Sequence, residues 1–310
     1  MQVERFAEGF LFTESPRWHG GAVWVADLRA KTICRLNGDG QSEVVVTFDA
    51  NDAPGGFGWR NDETLVVVGM ESRRLYEVGS GLLTSFVDLS RQSPHGCNDL
   101  GLDPDGGAYI GCDGFNAFAG EPAAPGSVLY VSPVGEVSTV AVDLFMPNGI
   151  SVSSDGADVV VAETFASRIS RYDRRRDGSL VNRDMWILDS AAGHKRSYPD
   201  GLCRDAEGGT WIADWRAKRV VRMLPRGRIT DELVFDIYPT SVVLGGDNKC
   251  TLFVSLIAHV GGPVPGSSAD DPVVKLRDPS GSVVEMRRSE IPRLARIDRA
   301  EVAVPGAGFP

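Results

Sequence analysis

The chain is short of positive charge, of cysteine and of long apolar runs, and each shortage removes a class of protein. Its 310 residues carry 32 Lys and Arg against 42 Asp and Glu, a net charge of −10. Nucleic acid and anionic membranes both need a basic surface, so neither is an expected partner. No apolar run approaches the ~20 residues of a membrane-spanning helix. Met1 to Gly9 lacks the charged start and apolar stretch of a secretory leader. Five cysteines, Cys34, Cys97, Cys112, Cys203 and Cys250, are odd in number and show no CxxC spacing. That argues against a zinc site or a disulfide framework and for a reducing, cytoplasmic location. Sustained helical periodicity is missing, so helices are expected to be few or absent. No Ser and His pair in a nucleophile-elbow context, which counts against a serine hydrolase. The Gly-rich Gly55-Gly-Phe-Gly58 lacks the strand-to-helix setting of a phosphate loop.

Glycine and proline, by contrast, are plentiful: 36 and 18 residues, spread along the chain. This pattern predicts many short strands joined by turns. One unit recurs: a polar residue, a short apolar strand, a Gly- or Asp-containing turn and a second, strongly apolar strand. The copies begin at Glu14, Gly55, Asn98, Asn148, Asp200 and Thr240, a spacing of roughly 40 to 50 residues that matches a propeller blade. A third strand and usually a fourth follow each copy, as in Thr32–Leu36 and Glu43–Phe48. The expected fold is all-β: a single-domain six-bladed β-propeller with four antiparallel strands per blade. Such a ring also removes long exposed sheet edges. Ala295–Val304 reads as a strand sharing a blade with one near Val3–Phe6, which closes the ring. Gly261–Ser289 breaks the pattern and reads as a long, solvated excursion inside the last blade.

In a propeller the innermost strands run along one central channel, so equivalent repeat positions converge. Here they hold Glu14, Asn98, Asn148, Asp200 and Thr240 or Ser241, while blade 2 offers only Gly55 and Gly56, which leaves room. Each polar residue alone reads as a turn former, since Asn-Gly and Asp-Gly are turn signals. In register, two carboxylates and two amides at one place are costly unless hydrogen-bonded or neutralised. One hard divalent cation resolves that cost, with Ca2+ the first choice and Mg2+, Mn2+ and Zn2+ as alternatives.

At these residues the sequence resembles the gluconolactonase, or regucalcin and senescence-marker-protein, family of six-bladed propellers. The pieces that carry the resemblance are Glu14-Ser-Pro-Arg-Trp18, Asn98-Asp99, Met146-Pro-Asn-Gly-Ile150, Tyr198-Pro-Asp-Gly-Leu202 and Tyr238-Pro-Thr-Ser241. Each is weak alone; the ordered set, spanning most of the chain from about Glu8, is specific. The resemblance implies a metal held by Glu14, Asn148 and Asp200, with Asn98 beside it and in contact with substrate or water. Two departures stand out. Gly96, preceded by His95, occupies a position where some members carry an Arg. The loop Cys112-Asp-Gly-Phe-Asn-Ala-Phe is small and aromatic. Both shift the expected substrate from a simple aldonolactone towards a less polar lactone or ester.

The resulting expectation is a metal-dependent lactonase with Asp200 as ligand and general base. Asn98 and His95 would meet substrate or water, and Asp99 would support them from behind. An aryl esterase or phosphotriesterase, a non-catalytic ligand-binding propeller, and a biosynthetic enzyme using the pocket for a non-hydrolytic step remain as alternatives. Outside the site, His19 reads as structural and His194 as solvated, while His259 starts the excursion. Trp24 and Trp211 read as packing between blades, and Cys97 as a small buried residue. Arg174-Arg-Arg-Asp-Gly178 reads as a solvated hairpin tip.

Overall fold

Turns cut each repeat into strands of five to eight residues, and apolar side chains on both faces of those strands force each sheet to be covered on both sides. The computed structural model describes residues 1–60, 64–116, 121–189, 196–258, 273–277, 283–287 and 295–307. Strand β1 (Val3–Phe10) opens the chain. Blade 1 holds β2 (Thr13–His19), β3 (Ala22–Asp27), β4 (Thr32–Leu36) and β5 (Ser42–Thr47), and blade 2 holds β6 (Pro54–Arg60), β7 (Thr64–Gly69), β8 (Arg74–Gly79) and β9 (Leu82–Asp88). Blade 3 is β10 (Cys97–Leu102), β11 (Ala108–Cys112), β12 (Gly126–Val131) and β13 (Val137–Leu144). Blade 4 is β14 (Pro147–Val152), β15 (Asp158–Glu163), β16 (Arg168–Arg174) and β17 (Leu180–Ile187). Blade 5 is β18 (Pro199–Arg204), β19 (Thr210–Asp214), β20 (Arg219–Leu224) and β21 (Arg228–Val234).

Blade 6 combines the two ends of the chain. Its order from the axis outward is β22 (Tyr238–Gly245), β23 (Thr251–Ile257), β26 (Ala295–Glu301) and then β1. The closure expected from the sequence is therefore present, with Val3 opposite Ala300 and Phe10 opposite Ala295. Between β23 and β26 the chain forms a separate antiparallel pair, β24 (Val273–Arg277) with β25 (Val283–Arg287). The rest of the 261–289 excursion, like His194 and His259, lies outside the described residues. Helical structure among the described residues amounts to two 3-10 turns, Thr164–Ala166 and Pro225–Gly227.

The core is a set of seams between neighbouring blades. Val66, Leu75, Leu100, Ile110 and Leu129 join blades 2 and 3. Trp211, Val220, Val242, Leu252 and Val254 join blades 5 and 6. Burying one such aliphatic side chain contributes about 1.5–3 kcal/mol, so the seams outweigh any single polar contact. Trp211 and Trp24 lie in or against these seams, as expected. His19 stacks flat on Trp59, with ring centroids 3.9 Å apart. The Arg174 expectation needs correction. Its side chain is only 5% exposed and reaches Asp103 at 2.6 Å and Asp105 at 2.8 Å in blade 3; Arg175, Arg176 and Asp177 form the solvated tip.

Candidate active site

Every innermost strand breaks register with its neighbour at the same depth. The irregularities fall between Glu14 and Arg17, Pro54 and Phe57, Cys97 and Leu100, Pro147 and Ile150, Pro199 and Leu202, and Pro239 and Ser241. A bulge leaves residues unpaired and re-aims their side chains. Asn98, Asn148, Asp200 and Thr240 all fall inside these bulges, and Glu14 borders the first. Ser15 beside it has a left-handed φ of 48°, and its backbone N–H donates to Glu14 Oε2 at 2.9 Å. That local strain fixes the direction of the carboxylate.

The glycines after the polar residues are in strands, not turns, which corrects the turn reading of Asn-Gly and Asp-Gly. A Cβ on Gly149 would lie 2.7 Å from the Asp200 carbonyl oxygen, and one on Gly201 would lie 1.9 Å from Ser241 Oγ. Only glycine lets adjacent innermost strands approach this closely. The space at Gly56 is also taken: a Cβ there would meet Asp99 Oδ1 and Leu100 N, each at 2.2 Å. The small residues of blade 2 therefore admit the strand of blade 3 rather than widen the channel.

The convergence leaves an electrostatic signature. Burial pushes the Glu14 carboxyl up to about 8, and the charge of Asp99 adds to the rise. Asp200 is raised well above the ordinary carboxylate range by burial first, then by the charges of Glu14 and Asp99, while a hydrogen bond from Asn148 opposes the rise. Asp200 Oδ1 is buried and has no hydrogen-bond partner among the described residues. Glu14, Asp99 and Asp200 thus feel one another's charge and Asn148 hydrogen-bonds Asp200, although among the described residues no three His, Cys, Asp or Glu side chains are drawn together closely enough to form a ready-made metal site. A divalent cation fits this set, because it would satisfy the orphaned oxygen and relieve the mutual repulsion. Thr164 donates its hydroxyl proton to the Pro199 carbonyl at 2.8 Å, so towards Asn148 Nδ2, 3.4 Å away, it can only accept. The amide oxygen then points away from Thr164.

Asp99 is held differently. Arg17 Nη2 donates to its Oδ1 at 2.8 Å, with both side chains almost fully buried. Asn98 is half-buried and its side chain has no hydrogen-bond partner among the described residues, so its amide remains available to a ligand. His95 is not part of the carboxylate cluster. It sits half-buried in the loop before β10, with Nδ1 3.8 Å from Glu121 Oε2. Thr240 donates to the Thr13 carbonyl at 2.8 Å, tying blade 6 to blade 1 beside Glu14.

The structure adds a supporting layer to which sequence reasoning gave no role. The second strands of blades 1, 4 and 5 end in Asp27, Glu163 and Asp214, all buried. Asp27 accepts the backbone N–H groups of Leu11 and Phe12, Glu163 that of Phe145 and Asp214 that of Tyr198. Each acid thereby pins the loop that delivers Glu14, Asn148 or Asp200. The recurring Ala-Asp or Ala-Glu at the end of the repeat was a visible signal. Cys97 is buried as expected and faces Cys112 across the β10–β11 ladder. Further along the innermost strands a cavity is lined by Arg17, Trp18, Cys203, Arg204, Leu244 and Lys249.

Known proteins place this architecture. A 6-deoxy-6-sulfogluconolactonase from Pseudomonas putida is 26% identical over 246 residues, covering 78% of this chain and 82% of that protein. An L-arabinolactonase from Azospirillum brasilense is 26% identical over 255 residues, covering 81% of each. The crystal structure of a calcium-binding protein, regucalcin, from Agrobacterium tumefaciens shares the fold, with a TM-score of 0.72 at 21% identity over 98% of this chain and 97% of that one. The family model described as SMP-30/Gluconolactonase/LRE-like region matches residues 12–258, from the strand that carries Glu14 to the end of β23. With five whole blades and the inner half of the sixth inside that match, the chain belongs to the SMP-30/gluconolactonase/LRE-like family.

Proposed function

We propose that the protein hydrolyses a small lactone, using one divalent cation held by Glu14, Asn148 and Asp200. The observation that carries this reading is the mutually repelling pair of half-buried Glu14 and buried Asp200, with Asp200 Oδ1 left unpartnered among the described residues. Sugar-lactonase relatives at 26% identity over about four fifths of the chain support the reaction class, and a calcium-binding structural relative supports Ca2+ as the ion. Bound there, the cation supplies a Lewis acid that polarises an ester carbonyl and acidifies water.

The protein's own groups do the rest. Asp200 takes a proton from water as its oxygen attacks the ring carbonyl carbon, and returns it to the ring oxygen as the C–O bond breaks. Glu14 and Asn148 hold position through Ser15 and Thr164. Asn98, with an uncommitted amide, orients the substrate, and Asp99 is the anchored residue behind it. His95, in the loop before β10, contacts the substrate. The test is a lactone and ester panel run on metal-stripped protein, with and without added Ca2+, Mg2+, Mn2+ or Zn2+, alongside Asp200→Ala. Activity should vanish on stripping, return with one or more ions, and fall about 10²–10⁴-fold in the variant. Full turnover by demonstrably metal-free protein would remove the cation from the mechanism, and undiminished turnover by Asp200→Ala would remove the base.

A further inference from the structure

The end of the ring that carries the carboxylates is walled on one side by aromatic rings. Phe115 follows β11, Phe165 follows β15, Tyr198 precedes β18, Trp215 follows β19 and Tyr238 opens β22. These are the ends at which the innermost strands begin, so the rings share a face with Asn98, Asn148, Asp200 and Thr240. They touch in sequence around four blades. Centroids are 5.6 Å apart for Phe115 and Phe165, 6.3 Å for Phe165 and Tyr198, 5.7 Å for Tyr198 and Trp215, and 6.4 Å for Trp215 and Tyr238. All four contacts are edge-to-face, and Phe165, Tyr198, Trp215 and Tyr238 remain partly exposed. A chain of ring edges and faces suits another planar aromatic group, whose ring can pack offset or edge-to-face on it.

Cations decorate the same arc. Arg196 and Arg216 each lie 5.2 Å from the Tyr198 centroid, Arg216 lies 4.9 Å from that of Trp215, and Lys218 lies 4.8 Å from that of Tyr238. None of the three has a carboxylate partner among the described residues. Arg196 donates to Ser167 Oγ and the Phe165 carbonyl, and Lys218 to the Asp236 carbonyl. Elsewhere in this acidic protein arginines are commonly matched with acids, as Arg17, Arg219 and Arg222 are. Three cations left over on one aromatic wall form a local positive field in a chain of net charge −10.

We propose that the arc binds an anionic aryl group, so that the substrate is a lactone carrying a planar aromatic ring with a negative charge. This rests on the lactonase reading and narrows its substrate class. The aromatic part lies along Phe165, Tyr198 and Trp215, and the anion meets Arg216, which is exposed and makes no ion pair among the described residues.

The experiment compares kcat/KM for gluconolactone, dihydrocoumarin and a carboxylated dihydrocoumarin in the wild type, Trp215→Ala and Arg216→Gln. The carboxylated aryl lactone should be preferred. Trp215→Ala should lower the ratio of aryl lactone to gluconolactone about tenfold through KM. Arg216→Gln should lower the ratio of carboxylated to neutral aryl lactone about fivefold. Preference for gluconolactone, or ratios unmoved by the variants, overturns the inference while leaving the lactonase reading in place. Should no lactone be turned over, that reading fails, and calorimetry with the non-hydrolysable carboxylated lactam decides the arc. Binding weakened by Trp215→Ala supports the inference, and absence of binding overturns it.

Discussion

Replacing Arg17 with Met should unlock three blades at once. The guanidinium donates from Nε to the Phe57 carbonyl at 2.9 Å, from Nη1 to the Pro16 carbonyl at 3.1 Å, and from Nη2 to Asp99 Oδ1 at 2.8 Å and the Leu100 carbonyl at 3.1 Å. Side-chain exposure is 8% for Arg17 and 6% for Asp99. Removing the cation strands the Asp99 carboxylate in the interior, beside two more acids. Breaking a buried pair from one side costs about 3–5 kcal/mol, or about 6–10 °C in Tm at roughly 2 °C per kcal/mol. The assay is urea unfolding of the wild type, Arg17→Met, Asp99→Leu and the double variant. Most of the penalty comes from the uncompensated charge, so the double variant should be more stable than the two single losses predict, with a coupling of about 2 kcal/mol. Strictly additive losses, or a single-variant loss under about 1 kcal/mol, would refute the argument.

Asp113 makes a pH prediction. Burial, then the nearby Glu71 charge, raises its carboxyl from 3.8 to about 7. Between those values the folded chain keeps a proton that the unfolded chain releases, so this residue's contribution falls as pH rises through the window, by at most about 4 kcal/mol. Asp113→Asn should therefore show a shallower loss of Tm between pH 4 and 7 than the wild type; parallel profiles would rule this out. Thr164→Val removes the hydroxyl that orients Asn148. It should weaken divalent-ion affinity about 10–100-fold in a calorimetric titration and also cost about 1–3 kcal/mol by orphaning the Pro199 carbonyl. Unchanged affinity would show that the Asn148 amide needs no such support.

Composition and period were enough to read the ring, because blades repeat the same burial problem and therefore the same pattern. Register within the repeat was enough to place Glu14, Asn98, Asn148 and Asp200 at or beside the bulges of the innermost strands. Backbone geometry was not legible. Gly149 and Gly201 look like turn residues in a linear sequence, and only the neighbouring strand at 2.7 Å or less reveals that they serve close approach. Arg17 and Asp99 are 82 residues apart, and no local rule pairs them. Arg174 was misplaced for the same reason, since its partners Asp103 and Asp105 belong to the preceding blade. The aromatic arc left a trace, in Phe165 and Trp215 directly after the second strand or one residue beyond it, but contacts between blades were needed to join those positions.

The candidate site depends on how the ring is held as much as on the identity of its ligating residues. Glu14 comes from blade 1, Asn148 from blade 4 and Asp200 from blade 5, so a cation shared among them would tie together blades on both sides of the Velcro-like closure in blade 6. The same ion would offset the repulsion that raises Glu14 and Asp200. Its binding free energy would then appear as fold stability as well as catalysis. Meanwhile Asp27, Glu163 and Asp214 fix the incoming loops by backbone hydrogen bonds that do not depend on the ion. A loop pinned in this way keeps its carboxylate or amide aimed inward before any ion arrives, which lowers the ordering cost of binding. The mutual repulsion of the carboxylates and the backbone support around them therefore act in the same direction. One makes a cation favourable, and the other keeps its place open.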